Sequence, residues 1–137
     1  MLQTGIRGEA SVAVSGNNTA AAMKSGLLPV FATPMMVALM EDAAAQSVQP
    51  YLSEGQTTVG TLVNVKHVSA TPEGMTVTAQ SELIGIDSRR LVFSVSAYDG
   101  AGLVGEGTHE RFIIDAARFT EKTRAKAERQ SAGGGKL

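Results

Sequence analysis

The sequence contains neither cysteine nor tryptophan, and it carries almost no net charge. Without cysteine there is no disulfide, no thiolate-bound zinc and no cysteine nucleophile. The 12 Lys and Arg residues nearly balance the 13 Asp and Glu residues, so the charge gives no reason to expect nucleic acid or an anionic membrane as a partner. The two histidines, His67 and His109, lack tight metal-ligand spacing, and we therefore predict no metal site.

Long apolar runs are also missing. No stretch approaches the roughly 20 residues needed to span a bilayer, and the N-terminus lacks the basic and apolar stretches of a secretory signal. Together with the lack of cysteine, this favours a cytoplasmic protein. Aromatic residues make up only 4% of the 137 residues, so the core of a single domain of this length must consist mainly of aliphatic, alanine and methionine side chains.

Two periodicities organise the chain. Alternating or β-branched stretches predict five strands, at residues 9–14, 57–68, 75–86, 89–99 and 103–114. Helices are predicted at 19–25, from Thr33 to Val48, and from Asp115 to about Arg129. Thr33 suits the N-cap of the second helix, and Pro34 suits its first turn.

The helix from Thr33 to Val48 determines the expected architecture. It is apolar on nearly every side for two turns, so it is predicted to be largely buried. Short connections between the later strands favour an antiparallel meander, and a sheet wrapped around one apolar helix covers the apolar face of each. We therefore predict an α+β hotdog fold, a long antiparallel sheet around a central apolar helix, plus a C-terminal helix. It is predicted to cover residues 1–130, and residues 131–137 to form a disordered tail or a cloning remnant.

The exposed edges of such a sheet favour pairing across a twofold axis, so we expect a homodimer, with a dimer of dimers as a further option.

Glu41 is the most informative single residue, because it lies in the middle of the predicted central helix. A buried carboxylate needs a partner or a cleft, and burial makes it a better base by raising its pKa. The alternative is that Glu41 and Asp42 mark the one solvated edge of the helix. The apolar pattern leaves both interpretations open.

Thr33 and His67 are the other two candidate residues. Thr33 is foremost a cap, but that position also places its hydroxyl at the positive end of the helix, where an oxyanion can be bound. It lies eight residues before Glu41, about 80° around and about 12 Å along a helix, so the two can border one groove. His67 is either a hydrogen-bonded core residue or a general acid or base. It is predicted to share an inward strand face with Val59, Thr61, Val63 and Val65.

Basic residues recur along the C-terminal helix at Arg118, Lys122, Lys126 and Arg129. They predict either a solvated face or contact with the phosphates of a nucleotide-like ligand.

Several segments together resemble a known family. They are Val30-Phe31-Ala32-Thr33-Pro34, Met40-Glu41, the stretch from Gly60-Thr61 to Lys66-His67, Ala70-Thr71-Pro72, and Gly107-Thr108-His109-Glu110-Arg111. The ordered set, from about residue 26 to residue 125, is similar to the fluoroacetyl-CoA thioesterase family of hotdog enzymes.

That resemblance implies a dimeric enzyme that hydrolyses a small acyl-CoA thioester to the free acid and CoA, with no cofactor beyond the CoA of its substrate. The Thr/Glu/His constellation of the family corresponds to Thr33, Glu41 and His67. Its substrate-binding positions correspond to Phe31, Gly60 and Arg111.

The implied roles follow from the chemistry of each group. Thr33 positions the thioester and its oxyanion. Glu41 acts as a nucleophile or as a base for water. His67 transfers a proton, for example to the departing thiolate.

The resemblance is incomplete at one point. Where fluoroacetate-specific members carry a gating phenylalanine, this chain has Leu27, and the region before Pro29 matches poorly. We therefore expect a broader short-chain or aryl acyl-CoA substrate without selectivity for a fluorinated acyl group. Two alternatives stay open: a hotdog module that binds acyl-CoA or a small ligand without turnover, and a hotdog hydratase, ranked last because the chain lacks an Asp-x-Asn-x-x-His motif.

Overall fold

The computed structural model describes residues 1–132, and its elements follow the predicted order. The strands are β1 (Arg7–Ala13), β2 (Gln56–His67), β3 (Thr76–Asp87), β4 (Arg90–Asp99) and β5 (Gly102–Asp115). The helices are α1 (Ala20–Met23), α2 (Thr33–Val48) and α3 (Ala116–Ala132). The last helix continues through Ser131, where the tail was predicted to begin, and residues 133–137 of that predicted tail lie outside the described residues.

The five strands form one antiparallel sheet in the order β1-β3-β4-β5-β2. The order leaves β1 and β2 as the two edges. The sheet curls around α2, and apolar side chains from both layers fill the space between them, chiefly Phe31, Met36, Met40, Leu83, Leu91, Phe93 and Val95. No helix within residues 1–132 is long and apolar enough to cross a membrane.

One side of α2 is not covered by the sheet. Pro34, Ala38, Asp42 and Gln46 are exposed at four-residue spacing, which places them on one helix face. The prediction that α2 is buried on nearly every side is therefore wrong for this face of the single chain. The apolar residues on the other faces of α2 are buried or half-buried as predicted, because they contact the sheet.

A β-bulge in β2 changes which residues share a face with His67. Gly60 pairs with Arg111 while Leu62 pairs with Glu110, so Thr61 is an extra residue in the ladder. The inward positions of β2 are accordingly Thr58 and Gly60 before the bulge, and Val63, Val65 and His67 after it. The prediction that Val59 and Thr61 share the inward face of His67 is wrong, because one inserted residue reverses the alternation.

Candidate active site

Thr33 begins α2 but does not cap it. The N-cap residue is Ala32, whose backbone is extended, and no side chain caps this helix. The Thr33 Oγ1 instead lies 2.8 Å from the Nδ1 of His67, the last residue of β2. The predicted N-cap is therefore wrong by one residue, and this shift leaves the hydroxyl free to bind a side chain brought from the sheet.

His67 is the last residue of β2, and only one of its ring nitrogens makes a hydrogen bond to a side chain. Its Nε2 is buried and has no hydrogen-bond partner of normal geometry among residues 1–132, although the nearby backbone of Ser69 acts to raise the pKa of the ring. Burial lowers the pKa of His67, which favours the neutral imidazole. Thr33 and His67 both line a cavity of about 280 Å³, together with Phe31 from the connector before α2. A group that enters this cavity can therefore meet both a hydroxyl and an imidazole.

Glu41 lies two turns further along α2 and faces the middle of β2. Its Oε2 is 3.4 Å from the Nη1 of Arg111, whose side chain is only 9% exposed against 38% for Glu41. Gly60 makes this approach possible, because a Cβ there would overlap the Oε2 of Glu41 and lie 3.2 Å from the Nη1 of Arg111. Glu41 is thus both paired and partly open to solvent, whereas Asp42 beside it is exposed.

Arg111 is held by more than its carboxylate. Its Nε donates to the Thr58 Oγ1 at 2.7 Å, and its Nη2 donates to the Thr58 carbonyl at 3.0 Å. Its Nη1 also lies 3.2 Å from the Nε2 of His109. Burial lowers the pKa of Arg111, and Glu41 opposes that shift.

Thr58 was not among the predicted site residues, and His109 was noted only as the second histidine. The available signal was the run of polar residues in β5 around His109, opposite a glycine that interrupts β2. Both side chains point inward only because the bulge sets the register.

The structure therefore brings the predicted residues into two groups within one chain. Phe31, Thr33 and His67 form the first, and Glu41, Gly60 and Arg111 form the second. Eight helical positions separate Thr33 from Glu41, which is about 12 Å of rise. Among residues 1–132, no hydrogen bond joins the two groups.

Outside these groups, Arg118 and Lys122 of α3 line a second cavity of about 280 Å³ with Arg89 from the β3–β4 turn. Lys126 and Arg129 do not line it. The described part of the chain contains no group of three or more His, Cys, Asp or Glu side chains that could hold a metal ion.

Comparison with known proteins places this geometry in a family. The model of the fluoroacetyl-CoA-specific thioesterase family matches residues 14–117. The fluoroacetyl-CoA thioesterase of Streptantibioticus cattleyicolor is 47% identical over 97 residues, which are 71% of this chain and 70% of that protein.

Solved structures agree with the family match. The fluoroacetyl-CoA thioesterase FlK superposes with a TM-score of 0.86 at 38% identity, over 92% of this chain and 98% of that one. A Thermus thermophilus member of the thioesterase superfamily superposes with a TM-score of 0.88 at 29% identity, over 95% of this chain and 96% of the other. The predicted hotdog fold is thereby confirmed. On sequence and structure together, the chain belongs to the fluoroacetyl-CoA-specific thioesterase family.

Proposed function

We propose that this protein hydrolyses a short acyl-CoA thioester to the free acid and CoA, with Thr33, Glu41 and His67 as the reacting groups. The observation that supports this most directly is the Thr33–His67 hydrogen bond beside a cavity, with the histidine Nε2 unoccupied. A hydroxyl at a helix start and a free imidazole nitrogen are suited to a carbonyl and its leaving group.

The proposed chemistry uses water and no cofactor besides the CoA of the substrate. Thr33 donates a hydrogen bond to the thioester oxygen as negative charge develops there, near the positive end of α2. Glu41 either takes a proton from the water that attacks the carbonyl carbon, or itself attacks that carbon to form an anhydride, which water then cleaves to release the free acid and restore the carboxylate. When the C–S bond breaks, the sulfur keeps the bonding electron pair, and a proton relayed through His67 converts the thiolate to the thiol of CoA.

A homodimer is part of this proposal, and the free edge of β2 is its proposed interface. Leu62 and Val63 are 44% and 40% exposed on this edge, on opposite sides of the strand. An unpaired twelve-residue edge strand with exposed apolar side chains is suited to antiparallel pairing with a second copy. The uncovered face of α2, where Pro34 and Ala38 are exposed, is proposed to add apolar surface to this interface.

This dimer would also unite the two groups of site residues. If the twofold axis passes through Asn64, antiparallel pairing sets Val65 opposite the partner subunit's Val63 and, because Thr61 is an extra residue, sets His67 opposite the partner subunit's Gly60. Thr33 and His67 of one subunit would then face Glu41 of the partner subunit, and each dimer would contain two shared sites. The separation of the groups within one chain is what supports this arrangement.

The acyl group is proposed to be short and not restricted to a fluorinated one. Leu27 is 94% exposed in the connector before α2 and is outside the set of residues that line the Thr33–His67 cavity. An acyl-CoA substrate also agrees with the cytoplasmic location expected from the sequence.

The test is thiol release from a panel of acyl-CoA esters that includes acetyl-, fluoroacetyl- and an aryl acyl-CoA. Glu41→Gln keeps the size of the side chain and removes its charge, and we expect kcat to fall by at least about 100-fold. Asp42→Asn makes the same change on the exposed neighbour and should leave kcat within about twofold. Equal rates in both variants would refute the role of Glu41, and binding of CoA esters by the wild type without thiol release would favour the non-catalytic module.

A further inference from the structure

His109 lies in the core beside Arg111, and the proposed hydrolysis assigns it no role. Its side chain is 1% exposed and its ring stacks on Phe93, with centroids 6.1 Å apart. The Nδ1 lies 2.8 Å from the carbonyl oxygen of Leu62, and the Nε2 lies 3.2 Å from the Nη1 of Arg111. Both ring nitrogens are therefore engaged, although the residue is far from solvent.

These two partners determine which nitrogen carries the proton. A carbonyl oxygen only accepts a hydrogen bond and a guanidinium only donates one. The Nδ1 of His109 must therefore donate to Leu62, and its Nε2 must accept from Arg111. A second proton would set an N–H group against the guanidinium, so His109 cannot serve as an acid or base without breaking this contact.

The groups around His109 shift its pKa in opposite directions. Burial is the largest influence and lowers its pKa, and the Arg111 cation on the same strand lowers it further. The hydrogen bond to Leu62 on β2, Glu41 on α2 and Glu110 on β5 oppose this shift. The net direction is downward, in agreement with the tautomer that the hydrogen bonds require.

His109 completes the set of acceptors around Arg111. Thr58 accepts from Nε and Nη2, and the two hydrogens of Nη1 are shared between His109 and Glu41. The Nη1–Glu41 contact is the longest of the four, at 3.4 Å. Since His109 accepts the other hydrogen of the same nitrogen, it directs the remaining one toward the carboxylate.

The bulge in β2 positions groups that contact both Glu41 and His109. Gly60, before the extra residue, leaves room for the Glu41 carboxylate, and Leu62, after it, presents its carbonyl to His109. A regular strand would turn one of these two groups away.

We propose that His109 is a positioning residue, which accepts a hydrogen bond from Arg111 and thereby orients the Glu41 carboxylate for the reaction. This inference rests on the proposed role of Glu41 in thioester hydrolysis.

The kinetic test compares His109→Phe with His109→Gln. Phenylalanine fills the space and removes both hydrogen bonds, and we expect kcat to fall about 10- to 100-fold with KM changed less than about threefold. Glutamine can still accept from Arg111, and we expect its kcat to stay within about threefold of the wild type. Glu110→Gln, on the opposite face of the same strand, controls for disturbance of β5 and should leave kcat unchanged. Equal loss in the Phe and Gln variants, or no loss in a folded His109→Phe protein, would overturn the proposal.

A second measurement needs no activity. Long-range ¹⁵N–¹H spectra of the wild type should show a protonated Nδ1 and an unprotonated Nε2 on His109, unchanged between the ordinary histidine pKa of about 6.5 and about pH 8. The Arg111 guanidinium signals should indicate restricted rotation in the wild type and in His109→Gln. In His109→Phe the bonds from Nε and Nη2 to Thr58 remain, so the change should be confined to faster exchange of the Nη1 hydrogens with water. Titration of His109 in this range, or free rotation of Arg111 in the wild type, would overturn the proposal. If the wild type hydrolyses no ester, the proposed function fails while these spectra still decide the state of His109 and Arg111.

Discussion

Mixed dimers offer the sharpest test of whether the two groups of site residues act together across subunits. Thr33→Ala removes the hydroxyl of the first group, and Glu41→Gln removes the charge of the second, and we expect either change to abolish turnover in the proposed dimer. Each variant alone should be nearly inactive, because both sites of its dimer lack one reacting group. In a mixed dimer, one site carries both substitutions, and the other combines Thr33 and His67 of one subunit with the partner subunit's Glu41, all unaltered.

The expected recovery follows from the symmetry. When equal amounts of the two variants are unfolded and refolded together, random pairing makes about half of the dimers mixed, and each mixed dimer has one intact site of two. The mixture should therefore reach about 25% of the wild-type rate per subunit. The expectation of a shared site rests on the separation of Thr33 and Glu41 within one chain, which is about 12 Å along α2.

The assay is the initial rate of thiol release, with each variant and the wild type refolded alone as references. Thr33→Ala mixed with His67→Gln is the matched control, because Thr33 and His67 are hydrogen-bonded within one chain and belong to the same group. That mixture should not recover. Recovery in the control, or none in the Thr33→Ala and Glu41→Gln mixture when mixed dimers are present by mass spectrometry, would refute the shared site.

Three further predictions concern single positions. Gly60→Ala places a methyl group against the Glu41 carboxylate, so under the proposed mechanism kcat should fall by about 10-fold or more while thermal unfolding shows a folded protein. Burial lowers the pKa values of His67 and His109, so the unfolded chain binds protons more readily than the folded one. The free energy of unfolding, measured by chemical denaturation, should therefore be highest above the ordinary histidine pKa of about 6.5 and decrease as the pH falls from there to about 5. The decrease should be smaller in His109→Gln. Thr71→Val removes the 2.8 Å hydrogen bond from the fully buried Thr71 to Asp99 and should cost about 1 kcal/mol of unfolding free energy with kcat unchanged; a stability equal to that of the wild type would contradict this.

The sequence by itself determined the layout of the domain. Strand and helix periodicities depend on local patterns of apolar residues, so the order of elements and the long central helix could be predicted within one to three residues at most boundaries. Glu41 was recognisable because a carboxylate inside an apolar helix requires an explanation. Gly60 was identified through the family resemblance, and its place inside a predicted strand agrees with the frequent occurrence of glycine at bulges.

The register of β2 and the hydrogen-bond partners of the site residues could be seen only in the folded structure. The extra residue at Thr61 reversed the predicted face of β2, brought Thr58 inward and placed the Leu62 carbonyl within hydrogen-bond distance of His109. The shift of the N-cap to Ala32 freed Thr33 for His67, a residue 34 positions away. Such contacts depend on which atoms of distant segments meet when the sheet closes around α2, and a local pattern carries no information about a one-residue offset between two strands.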